Sequence, residues 1–135
     1  VSGHAGLFSN ARDLAVLMQL LLNGGYANGT QLISEETINY FTSAPFADNE
    51  NRRGIGFDKP DLDPNAKYYT PSKQSSMLSF GHTGFTGTFA WADPENQLIV
   101  IFLSNRVYPS SDNNKISELN IRTEIHDLFY KAVAE

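Results

Sequence analysis

Residues 98–104 read LIVIFLS, and no amphipathic surface element can be made from that run. Side chains in a strand alternate between its two faces, so a stretch that is apolar at almost every step must be covered on both. The run therefore predicts a central strand. Ahead of it lies a second strand-like run, Thr88 to Ala92, joined to it by Asp93-Pro94-Glu95-Asn96. Aspartate at the first corner and proline at the second suit a type I turn, which makes the pair an antiparallel hairpin. Met77 to Thr83 supplies a third strand, so residues 77–104 form a sheet.

The cover has to come from helices. Ser9 can cap a helix over residues 10–22 that carries Leu14, Leu17, Met18 and Leu21 on one face, with Asn23-Gly24-Gly25 as its stop. Near the other end, Leu119, Ile121, Ile125, Leu128, Phe129 and Ala132 fall on one helical face within residues 117–134. Ser34 followed by Glu35 and Glu36 starts a shorter helix over 35–41, packing through Ile38 and Phe41 and ending before Pro45. Residues 44–76 are rich in Asn, Asp, Pro and Lys, interrupted by Gly54-Ile55-Gly56-Phe57, and read as loop with an edge strand or two. The expected class is α+β: an antiparallel sheet of at least three strands flanked by helices.

Composition limits the partners. With 135 residues, 41% of them hydrophobic, the chain can bury a core as one domain, and no stretch reads as a membrane span. Its net charge of -5 comes without a Lys/Arg cluster, so nucleic acid and anionic membranes are not expected partners. Cysteine is absent, and the three histidines lack metal-ligand spacing, so neither a zinc site nor any other cofactor is expected. The chain opens at Val1 in the Gly-containing run VSGHAGLFS, which reads as a piece cut from something longer.

The stretch SFGHTGFTGTFAW sets Gly81, Gly84 and Gly87 at intervals of three around His82. Glycine weakens a strand, so each needs a reason. Gly84 and Gly87 fit a tight connection with positive φ. Gly81 and Gly84 also flank His82 and Thr83, leaving a strand edge that a ligand backbone could approach. Both readings stand at this point. His4, in its Gly-containing loop, is either a border of a binding site or a loop-packing residue, and His126 is expected to be partly exposed on the last helix. Phe89 and Trp91 share a strand face and read as core.

His82-Thr83-Gly84, followed by the hairpin and a long last helix, resembles the final third of the serine β-lactamase and penicillin-binding-protein superfamily. Gly3-His4-Ala5-Gly6-Leu7-Phe8-Ser9 with Ala11, Arg12, Asp13 and Leu14, and also Phe102-Leu103-Ser104-Asn105-Arg106, resemble its class C β-lactamase, esterase and D-amino-peptidase branch. RRGIGFDKP and FLSNRVYP are similar to serine hydrolase modules of Bacteroidetes-type bacteria, some of them fused behind a family 3 glycoside hydrolase.

The resemblance implies a partial β-lactamase-like fold over residues 1–135, the C-terminal part of a domain that transfers an acyl group to water through a serine ester. In that family Ser-x-x-Lys supplies nucleophile and base; no Ser-x-x-Lys occurs here, and Thr70-Pro71-Ser72-Lys73 is a loop imitation. Tyr26-Ala27-Asn28 spells the Tyr-x-Asn motif but follows the helix it should precede, so it reads as a decoy. By the same resemblance, His82 would stand where lysine is commoner, as a titratable positive group facing nucleophile and substrate. Thr83 would offer its hydroxyl to a substrate carboxylate or proton relay, Gly84 would keep the edge clear, and the Phe85 N–H would be one of two oxyanion donors. His4 would border the substrate. The implied substrate is a small or peptide-like ester, amide or β-lactam, and the implied location is periplasmic or otherwise extracytoplasmic. The chain alone would be inactive, would expose apolar surface and self-associate, and could follow a fused upstream hydrolase. The competing reading is a non-catalytic module that takes a peptide or glycan along the glycine-flanked edge.

Overall fold

The computed structural model describes residues 3, 5–63, 65–66 and 70–134. Its first helix, α1, spans Ala11–Leu22. The cap is Asn10, one residue later than expected: its side-chain oxygen accepts from the Asp13 N–H at 3.1 Å, and its amide donates back to the Asp13 carboxylate at 2.8 Å. The Ser9 hydroxyl reaches only the Asn10 carbonyl, at 3.4 Å. Gly24 and Gly25, at φ 62° and 86°, end the helix by turning left-handed. A two-residue hairpin follows, β1 (Tyr26–Ala27) with β2 (Thr30–Gln31).

Helix α2 (Glu35–Thr42) is capped by the Ser34 hydroxyl, which accepts from the Thr37 N–H at 3.2 Å. It buries Ile38 and Thr42, while Phe41, expected in the core, is exposed. Within the loop region, Asp58 forms an isolated antiparallel bridge to Gly81, with N–H···O distances of 2.7 and 3.1 Å.

The main sheet has the order β3 (Phe80–Thr83), β4 (Phe89–Asp93), β5 (Leu98–Phe102), all antiparallel. Among the described residues β4 is central and β5 is an edge strand, contrary to the expectation from its composition. Its apolarity on both faces has the expected cause, since both sides are covered even though the strand is not central. Met18, Phe80 and Ala92 pack with Leu21, Leu22, Phe57 and Ile99 on the α1 side. Phe89, Trp91 and Val100 pack with Leu98 and Phe102 on the other.

The last helical segment is broken. Asn120, at φ 51°, separates α3 (Lys115–Glu118) from α4 (Ile121–Val133). The apolar stripe predicted for it is not the buried one: Leu119, Leu128 and Phe129 are exposed, and Thr123, His126 and Tyr130 are inside. The sheet face opposite is aromatic, and ring contacts decide the rotation of the helix. Phe89 stacks on Trp91 at 5.6 Å, His126 meets Phe89 edge-on at 4.9 Å, and Tyr130 lies 5.1 Å from His126.

His126, expected to be partly exposed, is 1% exposed, and its Nδ1 has no hydrogen-bond partner among the described residues. Burial pushes its pKa down to about 4, against a smaller upward pull from Asp93. The imidazole is therefore neutral when folded, whereas the unfolded chain takes a proton near pH 6.5. Stability associated with His126 is complete above pH 6.5 and is lost as the pH falls towards 4, by up to about 3 kcal/mol. His126→Leu should flatten urea-derived stability between those two pH values; an unchanged slope would show that another group titrates there.

Candidate active site

The end of β3 is fixed by its pairing, His82 opposite Ala90 and Thr83 opposite Phe89. Past the strand, the Gly84 N–H donates to the Thr88 carbonyl at 2.8 Å and the Gly87 N–H to the Gly84 carbonyl at 2.9 Å, closing a tight connection. Of these two glycines only Gly87 is left-handed, at φ 96°. Gly84 is bare because a Cβ would overlap the Thr88 hydroxyl, and Gly81 because a Cβ would overlap the Ala90 carbonyl and the Trp91 ring. The space beside Gly81 belongs to Trp91, which corrects the expectation that this glycine clears room for a ligand.

Gly81 directs its backbone groups outward to Asp58, and alternate residues of a strand point the same way. Thr83 therefore turns its N–H group towards the open edge, and Phe85 follows in the turn beyond the strand. Among the described residues the Phe85 N–H has no acceptor and the Thr83 hydroxyl no partner. The side chain of Phe85 is 73% exposed, but its position is held from behind. Arg106 Nε donates to the Phe85 carbonyl at 2.7 Å, its guanidinium lies 4.4 Å from the centre of the phenyl ring, and its backbone N–H donates to the Thr86 carbonyl at 2.9 Å. The same guanidinium is anchored on the carbonyls of Ser111 and Asn113, each at 2.9 Å.

His82 is exposed, yet both of its ring nitrogens are engaged. Nδ1 lies 2.6 Å from the Thr83 carbonyl and Nε2 lies 2.8 Å from Arg53 Nη2. A carbonyl can only accept and a guanidinium can only donate, so Nδ1 carries the hydrogen and Nε2 its lone pair. In this arrangement the ring accepts from Arg53, so a guanidinium not expected from the sequence stands beside His82.

Arg53 comes from the loop before Gly54, as does Arg52, and both approach the buried Asp58. Arg52 lies 3.1 Å from one Asp58 oxygen and donates to the other at 3.3 Å, while Arg53 comes no nearer than 3.8 Å. Arg53 and Arg106 both lie in stretches that carry the resemblance, RRGIGFDKP and Phe102-Leu103-Ser104-Asn105-Arg106, but no role was read for either from the sequence.

A cleft of about 480 Å³ opens between Leu7, Phe8 and Leu14 on one side and His82, Thr83 and Ala90 on the other. Its rim residue Phe8 is 94% exposed. His4, expected to border the substrate, lies outside the described residues. Tyr26-Ala27-Asn28 sits at the far end of α1, against a separate groove, and is not brought to His82. The Ser72 hydroxyl is fully buried and donates to Asp127, so it is a structural group. No group of three or more His, Cys, Asp or Glu side chains among the described residues could hold a metal ion. No helix among them is long and apolar enough to cross a membrane.

A family model described as Beta-lactamase matches residues 1–123. The protein named "Putative D-alanyl-D-alanine carboxypeptidase" in Escherichia coli (strain K12) is 42% identical over 118 residues, covering 85% of this chain and 26% of its own length. Its namesake in Salmonella paratyphi B is 38% identical over 119 residues, covering 87% of this chain and 26% of its own length. The chain thus spans about a quarter of the curated relatives it matches.

Proposed function

Since the chain belongs to the beta-lactamase family, we propose that it forms one wall of a serine acyl-transfer site whose nucleophile, lysine base and working tyrosine lie upstream in a parent protein. The observation that carries this reading is the Phe85 N–H, which has no acceptor among the described residues and directly follows His82-Thr83-Gly84. A serine hydroxyl from upstream attacks the substrate carbonyl and gives its proton to the lysine amine. Charge then builds on the carbonyl oxygen, where the Phe85 N–H and the N–H of the serine stabilise it. The leaving group departs with a proton, and water hydrolyses the serine ester.

The substrate class is an ester or peptide, and the names of the relatives favour peptides that end in D-alanyl-D-alanine. Such a substrate places the parent protein outside the cytoplasm. Without the upstream residues this chain is inactive.

Intact-mass analysis tests the reading. The chain, and the parent protein containing it, are each treated with a fluorophosphonate and with benzylpenicillin. Covalent labelling of the parent alone is the expected result. Labelling of the short chain would contradict its catalytic incompleteness, and labelling of neither would overturn the hydrolase reading in favour of a peptide- or glycan-binding module.

A further inference from the structure

Phe85 lies in the connection from β3 to β4, and the connection itself does little to hold it. The Gly84 carbonyl accepts from the Gly87 N–H at 2.9 Å. In a planar trans peptide the N–H points opposite to the carbonyl, so the Phe85 N–H is directed away from Gly87 and out of the turn. Past that peptide the chain can pivot. The Phe85 ring is 73% exposed, and the turn is bracketed by Gly84 and Gly87, the residue type that resists backbone rotation least.

The restraint comes from Arg106. Its Nε donates to the Phe85 carbonyl at 2.7 Å, its guanidinium lies 4.4 Å from the centre of the Phe85 ring, and its backbone N–H donates to the Thr86 carbonyl at 2.9 Å. Among the described residues no other group makes a hydrogen bond or ring contact to Phe85. The far side of the guanidinium is tied down as well: Nη1 donates to the carbonyls of Ser111 and Asn113, each at 2.9 Å, and to the Asn114 side-chain oxygen at 3.1 Å. All of these acceptors are neutral oxygens, and among the described residues no carboxylate pairs with Arg106. The side chain is used for the shape of its planar fork, which a lysine does not have.

We infer that Arg106 is a positioning residue of the acyl-transfer site: it clamps Phe85 against residues 111–114 and so holds the Phe85 N–H where the oxyanion forms. The inference rests on the acyl-transfer reading and deepens it, because it names the group that fixes the donor. A donor stabilises the oxyanion only if its direction is set before the charge appears, and a misplacement of about 1 Å can cost about 100-fold in rate. Formation and hydrolysis of the serine ester both pass through such an oxyanion, so kcat registers the loss whichever step is slower.

The test is a double-mutant cycle in the parent protein, read by steady-state kinetics on one ester substrate. Arg106→Ala should lower kcat by about 10–100-fold and leave KM nearly unchanged. Arg106→Lys, which keeps the charge but not the fork, should fall between the two and supplies the readout if the alanine variant does not fold. The deciding comparison is made in the Phe85→Pro background, where the N–H is gone. There the same Arg106 substitution should change kcat by less than about threefold, since no donor is left to position. A loss as large in that background as in wild type would mean that Arg106 acts elsewhere, and a lower urea stability with unchanged kcat would mean that it only supports the fold; either result overturns the inference. A wild-type parent that neither hydrolyses the ester nor is labelled by benzylpenicillin would instead overturn the acyl-transfer reading on which the inference rests.

Discussion

Phe85→Pro in the parent protein should lower kcat by about two to three orders of magnitude, the usual cost of losing one oxyanion-hole donor. Proline removes the N–H and nothing else that the turn uses: the Phe85 carbonyl still accepts from Arg106, and the preceding Gly84 tolerates the restriction proline imposes. The N–H acts on charge that exists only near the tetrahedral stage, so KM should move little. Phe85→Ala is the control. It loses the ring against Arg106 but keeps the N–H, and since that ring is mostly exposed the variant should fold and retain most of its turnover. Steady-state kinetics on one ester substrate decides the matter. A proline variant within about tenfold of wild type would show that another group holds the oxyanion.

Asp93→Ala should destabilise the chain by about 3–5 kcal/mol, measured by urea unfolding near neutral pH. Asp93 ends β4, opens the hairpin turn and is 1% exposed. Its carboxylate accepts from the Tyr130 hydroxyl at 2.6 Å, the Ser76 hydroxyl at 2.7 Å, the Ser76 N–H at 2.8 Å and the Asn96 amide at 2.9 Å. One side chain thus ties the approach to β3, the turn and α4 together. Truncation leaves several of these donors unsatisfied, and the buried Tyr130 hydroxyl has nowhere else to turn.

Burial alone would raise the pKa of Asp93, but the hydrogen bonds from Tyr130, Ser76 and Asn96 outweigh it and hold the carboxyl below its ordinary value. Its contribution is therefore present above the unfolded pKa, roughly 3.9, and is lost as the pH falls through the lower folded one. Asp93→Asn keeps the shape but turns one acceptor into a donor, and should fall between wild type and alanine. A loss under about 1 kcal/mol for the alanine variant would mean that water or a neighbour replaces the carboxylate.

These two side chains mark the limits of what sequence shows. Phe85 could be singled out from the sequence only because it directly follows His82-Thr83-Gly84, and the role proposed for it belongs to its backbone N–H. Asp93 was read correctly as the first corner of a turn, but its tie to Tyr130 spans 37 residues and has no local signature. The exposed Leu128 and Phe129 beside the buried His126 and Tyr130 show the same limit. Helical periodicity gives the spacing of a stripe, and the partner surface decides which stripe is used.

By itself the sequence determined the class of the fold, the hairpin and its turn, and the starts of α1 and α2 to within a residue, but not the break in the last helix. Those follow from local physics: alternation, capping and turn chemistry depend on neighbours within a few positions. Only the tertiary structure decided that β4 is central among the described strands, that Gly81 makes room for Trp91 and that Arg53 meets the His82 ring. Each of these depends on groups brought together from distant parts of the chain, where a change of one ångström turns a hydrogen bond into a gap.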